Sequence, residues 1–306
     1  MSELRVIATG LRFPEGPVAM RDGSVALVEI ERQTVTRVYP DGRTEVIAHT
    51  GGGPNGLAVG PDGAFYVCNN GGFLWRSEMN LLRPAGPATD YTTGRIERVD
   101  PVSGSVSVLY DRCGSNKLLG PNDIVFDGLG GFYFTDLGKA RARDRDWGGV
   151  YYALADGSKI TEVVHPVLTP NGIGLSPDGK TLYVAETETA RLWAWDVLAP
   201  GVLSKAPYPS PHGGRLLAGL GGFQRFDSLA VDSAGNVCVA TLVNGSVSVV
   251  ASGGGLLRQI PMPDMYCTNI CFGGPGHRTA YITLSGSGQL VAMEWDVPGL
   301  PLAHEA

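Results

Sequence analysis

Six segments of this 306-residue chain carry one short pattern, and that repetition limits the fold more than any other feature. Each opens with a polar residue and an apolar run, places a glycine eight positions on, and resumes with a second apolar run rich in Val, Tyr and Phe. The openings are Glu15, Asn55, Asn122, Asn171, Asp227 and Thr268; their glycines are Gly23, Gly63, Gly130, Gly179, Gly235 and Gly276. Asp22, Asp62 and Asp178 directly precede three of these glycines, and Asp-Gly favours a tight hairpin turn. Successive openings lie 40 to 67 residues apart, close to the roughly 40–50 residues of a four-stranded propeller blade.

The expectation is an all-β chain in which 1–306 form a single six-bladed β-propeller domain of four-stranded blades. Third and fourth strands follow at 34–40 with 44–49, 95–100 with 106–110, and 150–154 with 160–164, and no helical periodicity is evident. The last blade shows only three strands, ending in 289–297, while the run 4–8 precedes the first hairpin alone. The N- and C-terminal strands should therefore pair and close the ring, leaving few exposed sheet edges. A sandwich of seven or eight Gly-punctuated strands is the competing arrangement, and six in-register copies weigh against it.

Composition excludes several functional classes. Apolar residues make up 43% of the chain, enough for a substantial core, and 44 Gly plus 21 Pro fall short of a low-complexity sequence. Lys and Arg number 24 against 30 Asp and Glu, without a basic run, so nucleic acid is not an expected partner. No apolar stretch approaches the ~18 residues of a membrane span and MSELRVIATG is no signal peptide, so a cytoplasmic protein without a membrane partner is expected. The five cysteines form no CxxC and read as free thiols, and the five histidines show no zinc spacing.

First strands line a propeller's channel, so the six openings should form a ring of Glu15, Asn55, Asn122, Asn171, Asp227 and Thr268 at one mouth. Two carboxylates among amides and a hydroxyl, with no Lys or Arg, need a counter-charge, and hard oxygens suit calcium, magnesium or manganese. Taken singly, each opening is equally an ordinary turn residue; six on one axis point to a metal site. Hairpin pairing is expected to set Glu29 beside Glu15, Asn70 beside Asn55, Asp136 beside Asp123, and Glu186 beside Asn171. An insertion at about 71–91, with Phe73, Trp75 and Tyr91, should overhang the channel as a lid contacting substrate, or pack on a neighbouring blade or subunit. Gly51-Gly-Gly-Pro-Asn-Gly56 fits GxGxxG but precedes no helix, and no GxSxG elbow occurs.

Across nearly the whole chain the sequence resembles the family of gluconolactonase, regucalcin (senescence marker protein) and luciferin-regenerating enzyme. The resemblance rests on Phe13-Pro-Glu-Gly-Pro17, Pro121-Asn-Asp-Ile-Val-Phe-Asp127, Gly130-Gly-Phe-Tyr-Phe-Thr-Asp136, Pro170-Asn-Gly-Ile-Gly-Leu-Ser-Pro-Asp-Gly179 and Phe226-Asp-Ser-Leu-Ala-Val-Asp232. Gly130–Asp136 and Val184-Ala-Glu-Thr187 look most like its bacterial drug-responsive lactonases. It implies a lactone hydrolase with one divalent ion, calcium first, with magnesium, manganese, zinc or iron as alternatives. Carried over by position, Glu15, Asn171 and Asp227 match metal ligands, Asn122 a ligand or substrate contact, and Ser228 an occasional contributor. Asn122 departs from that branch's carboxylate, a role open to Asp123; the general base is Asp227, Asp123 or Asp136. Substrate contacts are expected from Asn55, Asn70, Phe73, Trp75 and Thr268, for a lactone or ester more hydrophobic than a sugar lactone. The alternatives are an esterase or phosphotriesterase on the same site, or a scaffold with a structural calcium ion. A monomer or small homo-oligomer is expected.

Overall fold

All six repeat glycines adopt a left-handed backbone, with φ between 63° and 97°, so each hairpin turns at its repeat glycine. The computed structural model describes residues 3–305. Six antiparallel sheets surround an axis as the blades of a propeller. Blade 1 runs Pro14–Ala19, Val25–Glu29, Thr34–Val38 and Thr44–His49; blade 2 runs Pro54–Val59, Phe65–Asn69, Arg95–Val99 and Val106–Tyr110. Blade 3 comprises Pro121–Phe126, Gly131–Asp136, Gly148–Leu154 and Ile160–Val167, and blade 4 Pro170–Leu175, Thr181–Glu186, Arg191–Ala199 and Arg215–Gly219, with the short Val202–Leu203 beside its third strand. Blade 5 is Arg225–Val231, Val237–Leu242, Ser246–Val250 and Leu256–Pro261. Blade 6 takes Cys267–Gly273, Thr279–Leu284 and Gln289–Glu294 from the end of the chain and Arg5–Ala8 from its start, with Arg5 opposite Ala292. The expected closure of the ring is thus present.

Inner strands touch in the cyclic order of the blades, and the core lies between blades. Tyr66, Phe126 and Phe132 fill the seam between blades 2 and 3; Tyr133, Trp193 and Trp195 fill the next. Fully burying one such side chain stabilises the fold by roughly 1.5–3 kcal/mol, so the seams are where the blades are held together. At the axis the inner backbones come so close that a Cβ on Gly172 would stand 2.7 Å from the Asp227 carbonyl oxygen of the next blade.

Two further segments shape the mouths. Phe73–Glu78 and Leu81–Pro87 form a hairpin turning at Met79 and Asn80, both with positive φ (53° and 60°) as a two-residue type I′ turn requires. This strap leaves blade 2 and passes over blade 1, where the Trp75 ring lies 5.1 Å from Phe13, to reach blade 6, where Leu82 N donates to Gly286 O at 2.9 Å. At the opposite mouth residues 300–304 run beneath the axis, from Leu300 N bonded to Val231 O in blade 5 to His304 against Phe126 in blade 3. Between the axial carboxylates and this segment lies a cavity of about 390 Å³, walled by Leu57, Ile124, Ile173, Leu229 and Ile270.

Gly172→Ala places a methyl group against backbone that cannot yield, and should cost roughly 1–3 kcal/mol in denaturant unfolding. Gly221→Ala, in open space, is the control and should leave the midpoint nearly unchanged. Equal midpoints for the two variants would show that the inner strands are not so tightly drawn together.

Candidate functional site

Every inner strand slips by one residue against its hairpin partner, at the same place. In blade 1 Pro14 pairs with Glu29 but Val18 with Ala26; matching slips fall between Pro54 and Leu57, Pro121 and Ile124, Pro170 and Ile173, Phe226 and Leu229, and Cys267 and Asn269. A bulge of this kind leaves one residue unpaired and re-aims side chains. Here it brings to the axis both the opening residue of each repeat and the residue after it.

The bulges gather Glu15, Asp123 and Asp227, all buried. Glu15 Oε2 accepts from Asn269 Nδ2 at 2.8 Å and from Gly16 N at 2.9 Å. Asp227 Oδ1 accepts from Asn171 Nδ2 at 2.6 Å, and that nitrogen also donates to Thr187 Oγ1 at 3.0 Å. Asp123 Oδ1 accepts from its neighbour Ile124 N at 3.0 Å, while Ser228 Oγ donates to Asn171 Oδ1 at 3.4 Å. Burial pushes Glu15 and Asp123 up to about 7, with Glu15's charge adding to the rise of Asp123. Asp227 is raised well above the usual carboxylate range by burial, then by Glu15 and Asp123. Among the described residues no Lys, Arg or His side chain pairs with any of the three.

The donor set fits a hard divalent cation. Asn122 Oδ1 is buried without a hydrogen-bond partner, an orphaned oxygen beside like charges that repel one another. Among the described residues no three Asp, Glu, His or Cys side chains are placed to hold an ion unaided, so amide and hydroxyl oxygens from Asn122, Asn171 and Ser228 would have to join the carboxylates. Backbone strain sits at two of these strands: Phe13 (φ 55°) and Thr169 (φ 47°) each precede the proline that heads one. Such residues cost about 1–3 kcal/mol each and persist where surrounding structure holds them. Phe13 O accepts from Ile30 N at 3.1 Å and Thr169 O from Thr187 N at 3.0 Å.

The second polar set is placed otherwise than its expected pairing. Glu29, Asp136 and Glu186 stand opposite Pro14, Pro121 and Pro170, and Asn69 rather than Asn70 stands opposite Pro54, above the bulges. They hold loops: Asp136 accepts from the backbone of Leu119 (2.7 Å), Gly120 (2.6 Å) and Gly138 (2.9 Å), and Glu29 from Arg12 N and Thr36 Oγ1 at 2.7 Å. Asn70 Oδ1 accepts from Gly72 N (2.8 Å) and Lys139 Nζ (3.0 Å) at the root of the strap. Asn55 is buried at the bulge of blade 2, and Phe73 and Trp75 lie on the strap. The Thr268 hydroxyl bonds to Thr283 Oγ1 and Ser285 Oγ, and its follower Asn269 donates to Glu15. Asn269 and Lys139 are additions that sequence reading missed; the polar followers Asp123 and Ser228 in other repeats were the available signal for Asn269.

Crowded carboxylates make stability of the metal-free protein depend on pH. Their folded pKa values lie above the unfolded ones, so the folded chain keeps protons that the unfolded chain releases between about pH 4 and 7. Metal-free stability should therefore fall across that window, for which Glu15 and Asp123 set the upper edge, and Asp227 adds to the fall in the same direction. Asp227→Asn should flatten the fall and raise metal-free stability at pH 8. Denaturant midpoints across the range test this, and a wild-type stability that rises through the window would contradict it.

Residues 13–286 match the family described as SMP-30/Gluconolactonase/LRE-like region. Lactonase drp35 of Staphylococcus saprophyticus is 32% identical over 262 residues, covering 85% of this chain and 72% of its own. A gluconolactonase of Zymomonas mobilis is 26% identical, covering 92% and 79%. In fold, the calcium-binding protein regucalcin from Agrobacterium tumefaciens superposes with a TM-score of 0.77 at 18% identity, over 99% of this chain and 98% of its own. The repeat, the ring of bulges and these likenesses together make this chain a member of the SMP-30/gluconolactonase/LRE-like family.

Proposed function

We propose that this chain hydrolyses lactones at the axial cluster, assisted by one divalent cation, calcium first. The observation that carries the reading is the set of three buried carboxylates, to which no basic side chain of the described residues is paired, and the unpartnered Asn122 oxygen at their side. Glu15, Asn171 and Asp227 would hold the ion, with Asn122 and Ser228 contributing oxygens. When bound, it supplies Lewis-acid polarisation of the lactone carbonyl and acidifies water. Relatives named lactonase and gluconolactonase support the reaction class.

The chain's own residues have distinct tasks. Asn171 orients Asp227 through the 2.6 Å hydrogen bond, and Asn269 orients Glu15. Asp227 or Asp123 accepts the proton of the attacking water; ring opening returns it to the leaving alkoxide, giving a hydroxy acid. Asp136, held by three backbone amides, keeps the loops before Pro121 in place and is the weaker candidate for that base. Asn55 and Thr268 are candidate substrate contacts at the axis. Phe73 and Trp75, extended by Phe13 and Tyr266, form an aromatic row over the mouth that suits a lactone bearing an apolar group. The strap 71–91 acts as the lid.

Metal-stripped protein should be inactive on sugar, aliphatic and aryl lactones and regain turnover with calcium, or with magnesium, manganese, zinc or ferrous iron offered singly. Asn171→Ala should weaken cation binding by roughly 10–100-fold, and Asp227→Asn should abolish binding and turnover together. Tight cation binding without turnover on any lactone, ester or phosphotriester would favour a structural ion in a scaffold.

A further inference from the structure

Lys139 is 3% exposed and belongs to none of the chemistry above. It lies on the 137–147 loop between the second and third strands of blade 3, yet its ammonium reaches the strap of blade 2. Nζ donates to Asn70 Oδ1 and to Gly72 O, both at 3.0 Å, and stands over the rings of Phe73 (4.1 Å to the centroid) and Tyr91 (5.0 Å). Gly72 O also accepts from Ala88 N at 3.2 Å, so the ammonium sits where the two legs of the strap come together. Among the described residues no carboxylate lies within ion-pair distance of it; burial lowers its pKa to about 7 against the pull of Asp136 and Asp146. A buried ammonium without an ion pair is costly, and here its close contacts are two carbonyl oxygens, of Asn70 and Gly72, and the aromatic faces of Phe73 and Tyr91.

The loop that presents Lys139 is itself fixed. Asp146 Oδ2 accepts from Lys139 N at 3.1 Å and pairs with Arg141, and Asp136 binds Gly138 N and Gly120 N together. Gly120 directly precedes Pro121-Asn122-Asp123. One short run of bonds thus joins the root of the strap to the strand that carries two axial oxygens.

We propose that Lys139 is the positioning residue of the strap: its ammonium holds the root so that Phe73 and Trp75 stand over the mouth, and so favours lactones with an apolar substituent. The selectivity half rests on the lactonase reading; the positioning half does not. Lys139→Met keeps the apolar stem and removes charge and donors, whereas Lys139→Arg keeps both. In metal-free protein, amide exchange of residues 73–87 should accelerate about tenfold in Lys139→Met relative to blade 5, and return towards wild type in Lys139→Arg. With the cation restored, KM for an aryl lactone should rise about tenfold in Lys139→Met with kcat little changed, and a small sugar lactone should show no such rise. Should Lys139→Met fail to fold, Tyr91→Leu, which removes one aromatic face, should loosen the same residues to a smaller degree. Unchanged strap exchange in every folded variant overturns the positioning role, whatever the activity. A strap that loosens in a wild-type background inactive on all lactones retains positioning and overturns the lactonase reading instead.

Discussion

Three carboxylates buried together at the axis, with no basic side chain of the described residues paired to them, are the interaction around which the rest of this structure is arranged. Such a cluster repels itself and resists ionisation, so it persists only if the backbone carrying it cannot relax. The single-residue bulges aim it, and the close approach of Gly16 and Gly172 to the neighbouring inner strands removes room for retreat. The left-handed Phe13 and Thr169 show the same restraint one residue further out, where the chain accepts strain to deliver Pro14-Glu15 and Pro170-Asn171.

Six-fold repetition explains how one chain can maintain such a site. Each blade contributes one inner strand, and the seams between blades do most of the stabilising. The axial positions can then hold groups that oppose folding, because stability is supplied by Phe132, Trp195 and their neighbours at a distance. The polar second-strand ends Glu29, Asn69, Asp136 and Glu186 serve an intermediate layer: they fasten the loops that lead into and out of the inner strands.

Much of the fold was legible because a repeat reports its own geometry. The eight-residue offset from polar opening to glycine is the length of half a hairpin, and it survives where residue identity has drifted. The bulge was not legible: nothing local in Cys267-Thr-Asn-Ile distinguishes an extra residue, so the reading stopped at Thr268 and passed over Asn269. The same missed slip moved Asp136 from a place beside Asp123 to one opposite Pro121. The course of the strap was equally hidden, because its partners Phe13 and Gly286 lie at the two ends of the sequence. Lys139 had no signal at all, since an isolated lysine in a loop of Arg and Asp reads as solvated surface until the aromatic rings above it are in view.

Residues 300–304 run beneath the far end of the axial cavity, so this segment and the strap border the channel at opposite mouths. Were substrate to enter past the strap to the polar ring, product would retrace its path. For the proposed reaction the retreat has a built-in direction. A lactone enters without charge and leaves as a hydroxy acid anion, in a protein with a net charge of −6. The door that admits the one pushes out the other.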